Sequence, residues 1–102
     1  MKIMVFHVDS QYMSRFYFGG PSPAAMAREL LANAQYVPVG TFDVEQMDAE
    51  DCCEEAYDRS NNPSRMADRM DTFGRVRSLS VGDVVVVEGE AFVCAPFGWE
   101  RL

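Results

Sequence analysis

The sequence predicts a small α+β domain: a mixed or antiparallel sheet with two helices on one face and a C-terminal β-hairpin. Three observations carry that prediction. Residues 2–8 (KIMVFHV) are rich in β-branched and aromatic types and alternate, so Ile3, Val5 and His7 fall on one strand face and Met4, Phe6 and Val8 on the other. Two segments, 21–35 and 48–58, carry apolar residues at helical spacing. Near the C-terminus two apolar runs, 84–87 and 91–95, are joined by Glu88-Gly89-Glu90, a glycine-containing turn. At 102 residues and 48% hydrophobic, the chain suffices for one core and is too short for two domains of ordinary size, so residues 1–102 form a single domain.

Taken in order, the first strand is apolar on both faces, which makes it a central strand. RFYFGG (15–20) reads as a second short strand ended by Gly19 and Gly20. In PSPAAMARELLANAQ, Ser22 is placed to cap a helix, Pro23 suits its first turn, and Met26 and Leu30 form an inner stripe with Ala27, Leu31 and Ala34. YVPVG (36–40) is extended, with Pro38 restricting it to an edge or a bend. A second helix spans 48–58, capped by Asp48 and stopped by Asn61, Asn62 and Pro63. Its inward face is Ala49, Cys52, Cys53, Ala56 and Tyr57. In SRMADRMDTF (64–73), Met66, Met70 and Phe73 stand at near-helical spacing, and the methionines read as gap-filling core. The segment is either a short third helix or a turn that sets arginines beside the acidic helix. After the hairpin, Pro96 and Gly98 bend the chain so that Trp99 closes the core.

Charge narrows the function classes. Sixteen acids against nine bases give a net charge of −7 and a pI near 4.5, which argues against direct binding to DNA or to an anionic membrane. Residues 43–58 hold eight of the acids and no base, whereas residues 59–77 hold five of the bases, all arginine. Asp51, Glu54, Glu55 and Asp58 repeat at i, i+3, i+4 and i+7 on the outward face of the second helix. Like charges so spaced cost about 0.2–0.5 kcal/mol per pair, and acids near a helix C-terminus oppose its dipole. Either the face is solvated and partly neutralised by arginines folded back from 65–77, or it is an anionic ridge that meets a basic partner. The candidate binding residues are Asp48, Glu50, Asp51, Glu54, Glu55 and Asp58.

Catalytic and metal chemistry find little footing. There is no Gly-x-Ser-x-Gly elbow, phosphate-binding glycine loop or His-Glu-x-x-His, and the single histidine, His7, lies in a strand pattern. Three cysteines, two of them adjacent, make neither a disulfide framework nor a zinc site. A calcium loop needs its acids on a turn rather than along a helix. No catalytic residue, metal or cofactor is assigned. The apolar N-terminal run is broken by His7 and Asp9 and is too short for a signal peptide or a spanning helix, so a cytoplasmic location is expected.

The stretch RSLSVGDVVVVEGEAFVCAPFGWERL resembles the C-terminal signature of the YodL-like family, through Arg77, Ser78, Leu79, Ser80, Val81, Asp83, Val84, Val85, Cys94, Phe97, Gly98 and Trp99. Gly82 stands where that signature carries serine. MKIMVFHVD at the start, and Tyr36 and Val39 before an acidic helix, are similar to the family's layout. The resemblance implies a protein of conjugative elements, plasmids or phage-like DNA and brings no catalytic residues with it. Joined to the acidic helix, it leads to the expectation of a non-enzymatic accessory protein, an acidic inhibitor of anti-restriction or anti-CRISPR type. Its partner would be a basic, nucleic-acid-binding protein of the host or element. The alternative is a small RNA- or ligand-binding module that uses the C-terminal hairpin and the arginines from Arg59 to Arg77.

Overall fold

The computed structural model of the protein describes residues 1–17 and 22–102. The described residues form an α+β fold with strands β1 (Lys2–Val8), β2 (Tyr36–Asp43), β3 (Val84–Val87), β4 (Glu90–Cys94) and β5 (Trp99–Arg101). The helices are α1 (Pro23–Ala32), α2 (Ala49–Asn61) and α3 (Met66–Phe73), with 3-10 segments at Ser10–Phe16 and Pro63–Arg65. The strands make one antiparallel sheet in the order β2-β1-β3-β4-β5. Among the described residues, no helix is long and apolar enough to cross a membrane.

The alternation of β1 dictates the layering. Ile3 and Val5, with Val85, Val87 and Cys94, pack against Cys52, Cys53 and Ala56 of α2 and Phe73 of α3. Val8, with Val84 and Val93, packs against Ala24, Met26, Ala27 and Leu30 of α1 and against Phe16. The two helices that share a face are therefore α2 and α3. The 21–35 helix, expected beside the acidic one, covers the opposite side instead. A central strand pair that is apolar on both faces must be covered on both to keep its side chains from water.

Local chemistry fixes most element ends. Ser22 Oγ accepts the amide of Ala25, and Pro23 opens α1. Val87 pairs with Glu90 across Glu88 and Gly89, both at positive φ (49° and 83°), the conformation of a two-residue hairpin turn that matches the strand twist. β2 is an edge strand, as Pro38 requires, and a register shift between Val5 and Phe6 leaves Val39 without a partner on β1. The end of α3 presses on this edge: a Cβ at Gly40 would stand 2.6 Å from the Phe73 ring and 2.7 Å from the Thr72 carbonyl.

Several sequence expectations are corrected. Arg15 and Phe16 lie in a 3-10 segment rather than a strand, because Asp9 accepts the Gln11 amide and turns the chain just after β1; Phe18, Gly19 and Gly20 lie outside the described residues. Leu31 and Ala34 are exposed, since α1 ends at Ala32 and Ala34 takes a left-handed conformation (φ 57°). In α2 the inward stripe continues to Ser60, which accepts the Leu79 amide, while Tyr57 turns out to solvent. Met66 and Met70 are exposed as well; Phe73 alone of that trio is core, because α3 rests on the sheet only through its last turn. Trp99 is half-buried at the rim of the core.

Candidate functional site

The candidate acidic face is built by α2 and the segment leading into it. Burial of Cys52, Cys53 and Ala56 against the sheet turns Asp48, Glu50, Asp51 and Glu54 to solvent. Glu50 and Asp51 lie in the first turn, where the helix dipole favours negative charge. Asp48 occupies the N-cap position but its side chain makes no capping bond, so the sequence expectation of a cap holds for the place and not for the bond. Asp43 and Glu45 are exposed just upstream. Among the described residues none of these six carboxylates makes an ion pair. Glu54 accepts a hydrogen bond from Trp99 Nε1 at 3.0 Å, which ties α2 to β5.

The C-terminal half of the same helix behaves differently. Arg65 reaches Glu55 Oε1 at 2.7 Å and Glu55 Oε2 at 3.0 Å, Asp58 Oδ2 at 2.9 Å and Asp68 Oδ2 at 2.9 Å. Arg59 adds a contact to Glu55 Oε2 at 3.1 Å and lays its guanidinium over the Phe42 ring. The hydrogen bonds from Arg65, and then from Arg59, hold the Glu55 carboxyl below its ordinary range against the opposing effect of burial. The predicted six therefore divide. Asp48, Glu50, Asp51 and Glu54 stand bare, whereas Glu55 and Asp58 are neutralised by the arginines the sequence places after them. Asp43 and Glu45, part of the same acidic run, are exposed as well, but Asp43 follows Phe42 in β2 and so points to the sheet face opposite α2.

A second cluster was hidden in the hairpin entry. Asp83 is 0% exposed, and its four acceptor positions are filled. Oδ1 accepts from the Val8 amide (2.9 Å) and Arg77 Nη2 (2.7 Å), and Oδ2 from the Ser80 amide (2.8 Å) and Arg77 Nη1 (2.6 Å). Arg77 also donates to the carbonyls of Val8 and Ser78. The pair thus rivets the end of β1 to the 77–83 segment. Gly82 belongs to this joint: it has φ 98°, the Tyr36 hydroxyl donates to its carbonyl at 2.6 Å, and a Cβ there would stand 2.6 Å from the Phe16 ring. His7 Nε2 stands 3.7 Å from Asp83 Oδ2, beyond hydrogen-bond range. Burial lowers the His7 pKa; Asp83 opposes this, while Arg77 and Arg69 reinforce it.

In the sequence, Asp83 has no role beyond the YodL-like resemblance and His7 reads as a strand histidine, so this cluster was missed. The available signal was an Asp six residues after an Arg at the mouth of an apolar strand, where a carboxylate cannot be buried without a cation.

The remaining features are the thiols and the β4–β5 turn. Cys52, Cys53 and Cys94 are free and buried. Burial pushes the Cys53 and Cys94 thiols up to about 12 and raises Cys52, which is the opposite of what a nucleophilic thiol needs. Phe97 is 97% exposed at the turn. Compared with models of known families, with curated proteins and with solved structures, the chain matches none.

Proposed function

We propose that the protein acts by binding, presenting the bare acidic face of residues 48–54 to a basic, nucleic-acid-binding surface of a partner protein and so keeping nucleic acid off it. The observation that carries this reading is the contrast within one helix. Glu55 and Asp58 are matched by arginines, while Asp48, Glu50, Asp51 and Glu54 are exposed and have no ion-pair partner among the described residues. Unpaired like charges raise the energy of the free protein, and a partner's lysines and arginines remove that repulsion on docking. Duplex DNA offers the same cations about one charge per 1.7 Å of axis, so a dense carboxylate face competes for them.

The resemblance of the 77–99 stretch to the YodL-like signature supports placing this binder among accessory proteins of mobile elements or phage, as an inhibitor of anti-restriction or anti-CRISPR type. Support for a nucleic-acid footprint on the arginine segment is weaker. Arg59, Arg65, Arg69 and Arg77 all donate to groups of this chain, and Arg75 is the exposed one left over. The test is a pull-down on immobilised protein at low and high salt, with and without excess duplex DNA. Nucleic-acid-binding proteins should be retained at low salt and displaced by the DNA. Equal retention by a folded Asp48→Asn, Glu50→Gln, Asp51→Asn, Glu54→Gln variant would reject the face.

A further inference from the structure

A cleft of about 440 Å³ opens where β1 ends, β2 begins and the chain passes from α3 towards β3. Its volume lies within the range of small-molecule sites, roughly 300–1,000 Å³. Val37, Val39 and Val76 supply apolar walls, His7 and Arg77 supply polar atoms from beneath, and Asp9 stands at the exposed mouth. His7 is the informative member. It is 5% exposed, it lines the cleft, and among the described residues its imidazole makes no hydrogen bond. Asp83, whose carboxylate stands 3.7 Å from it, has every acceptor position filled by other donors. No buried side-chain nitrogen or oxygen among the described residues lacks a partner, so the ring nitrogens of His7 reach solvent, and their open side is the cleft, where a ligand's polar edge can take the place of water. Arg77 spends four N–H groups on Asp83, Val8 and Ser78, and its Nε–H makes no bond among the described residues.

We infer that this cleft is a binding site for a small uncharged molecule with an apolar body and a hydrogen-bonding edge, of the kind a heterocyclic base or an amide presents, held through His7. Charge selects the class. An anion gains little, because the Arg77 charge is matched by Asp83 and Asp9 repels it at the mouth. A cation gains little either, because Arg69, whose own partners, Ser78 Oγ and the Val76 carbonyl, are uncharged, offsets Asp9, and these four charges sum to zero around the cleft. An uncharged edge can accept from or donate to the neutral imidazole while the valines take its apolar body out of water. The site is separate from the acidic face and stands whether or not that face binds a protein.

His7 is the chain's single histidine, so its ring signals in a proton–carbon NMR spectrum need no assignment among rivals. The protein is titrated with adenosine, thymine and nicotinamide as uncharged probes, and with benzoate and benzamidine as charged counterparts. The expected result is a saturable shift of the His7 ring signals and of the Val37, Val39 and Val76 methyl signals with at least one uncharged probe. That affinity should exceed either charged probe's by tenfold or more and be lost in His7→Phe. No saturable shift with any uncharged probe overturns the inference, as does equal or tighter binding of a charged one. Methyl shifts that persist in a folded His7→Phe protein also overturn it. Should His7→Phe not fold, the ring-signal titration of the unmodified protein decides the matter by the same criteria.

Discussion

Asp83 and Arg77 concentrate the energetic risk of this fold in two side chains. A carboxylate taken fully out of water is tolerated only because two guanidinium bonds and two backbone amides replace its hydration. Asp83→Ala would leave Arg77 without its counter-charge and the Val8 and Ser80 amides unbonded. The expected loss is about 3–5 kcal/mol, read as a fall in the urea midpoint with an unchanged slope. His7 adds a pH dependence of known sign. Its folded pKa lies below the ordinary 6.5, so the unfolded chain binds the extra proton more readily and stability falls as pH drops below about 6.5. Melting temperatures between pH 7.5 and 5.5 should decline in the parent and decline less in His7→Phe. Glu55 has the usual carboxylate sign: its folded pKa is depressed by Arg65, so its contribution is present above about 4.5 and is lost as pH falls further.

At the scale of the element, α2 is two half-helices with opposite electrostatics on one buried stripe. Neutralising Asp48, Glu50, Asp51 and Glu54 should change stability by well under a kcal/mol per site, because no cation is stranded. Glu55→Gln is expected to cost more than any of those four, since Arg59 and Arg65 both lose a charged acceptor. Thermal melts of the single variants would decide it, and a Glu55 effect no larger than that of Glu50 would count against the division. The buried stripe is checked with a thiol reagent: Cys52, Cys53 and Cys94 should label slowly in the native protein and rapidly in denaturant. For the sheet, Val85→Asp places a charge in the core at 0% exposure and should abolish folding. Trp99→Ala should fall short of the roughly 3–5 kcal/mol of a fully buried aromatic, because its ring is only half-buried.

At the scale of the whole molecule, β5 and its pairing with β4 were not legible in the sequence, whereas a mixed or antiparallel sheet, its β3–β4 hairpin and the inward cysteines of α2 were. They rest on local rules: strand alternation, a turn glycine, and the 3.6-residue period of a helix. The acidic run was legible too, but which acids stay bare was not. Arg65 meets Glu55 across ten residues of sequence and Trp99 meets Glu54 across 45, and no spacing rule reports contacts made through space. The same holds for the face each helix covers. Amphipathicity states that α1 and α2 each bury one stripe; only the order β2-β1-β3, with a middle apolar on both sides, sends them to opposite faces. The sequence by itself determined the α+β class, the elements with strong periodicity and the net charge. The tertiary structure alone decided that the Arg77–Asp83 pair is buried against the end of β1 and that a histidine is left facing an open cleft, because both depend on residues far apart in sequence, such as Val8 and Asp83 at 75 positions, being brought within hydrogen-bond distance.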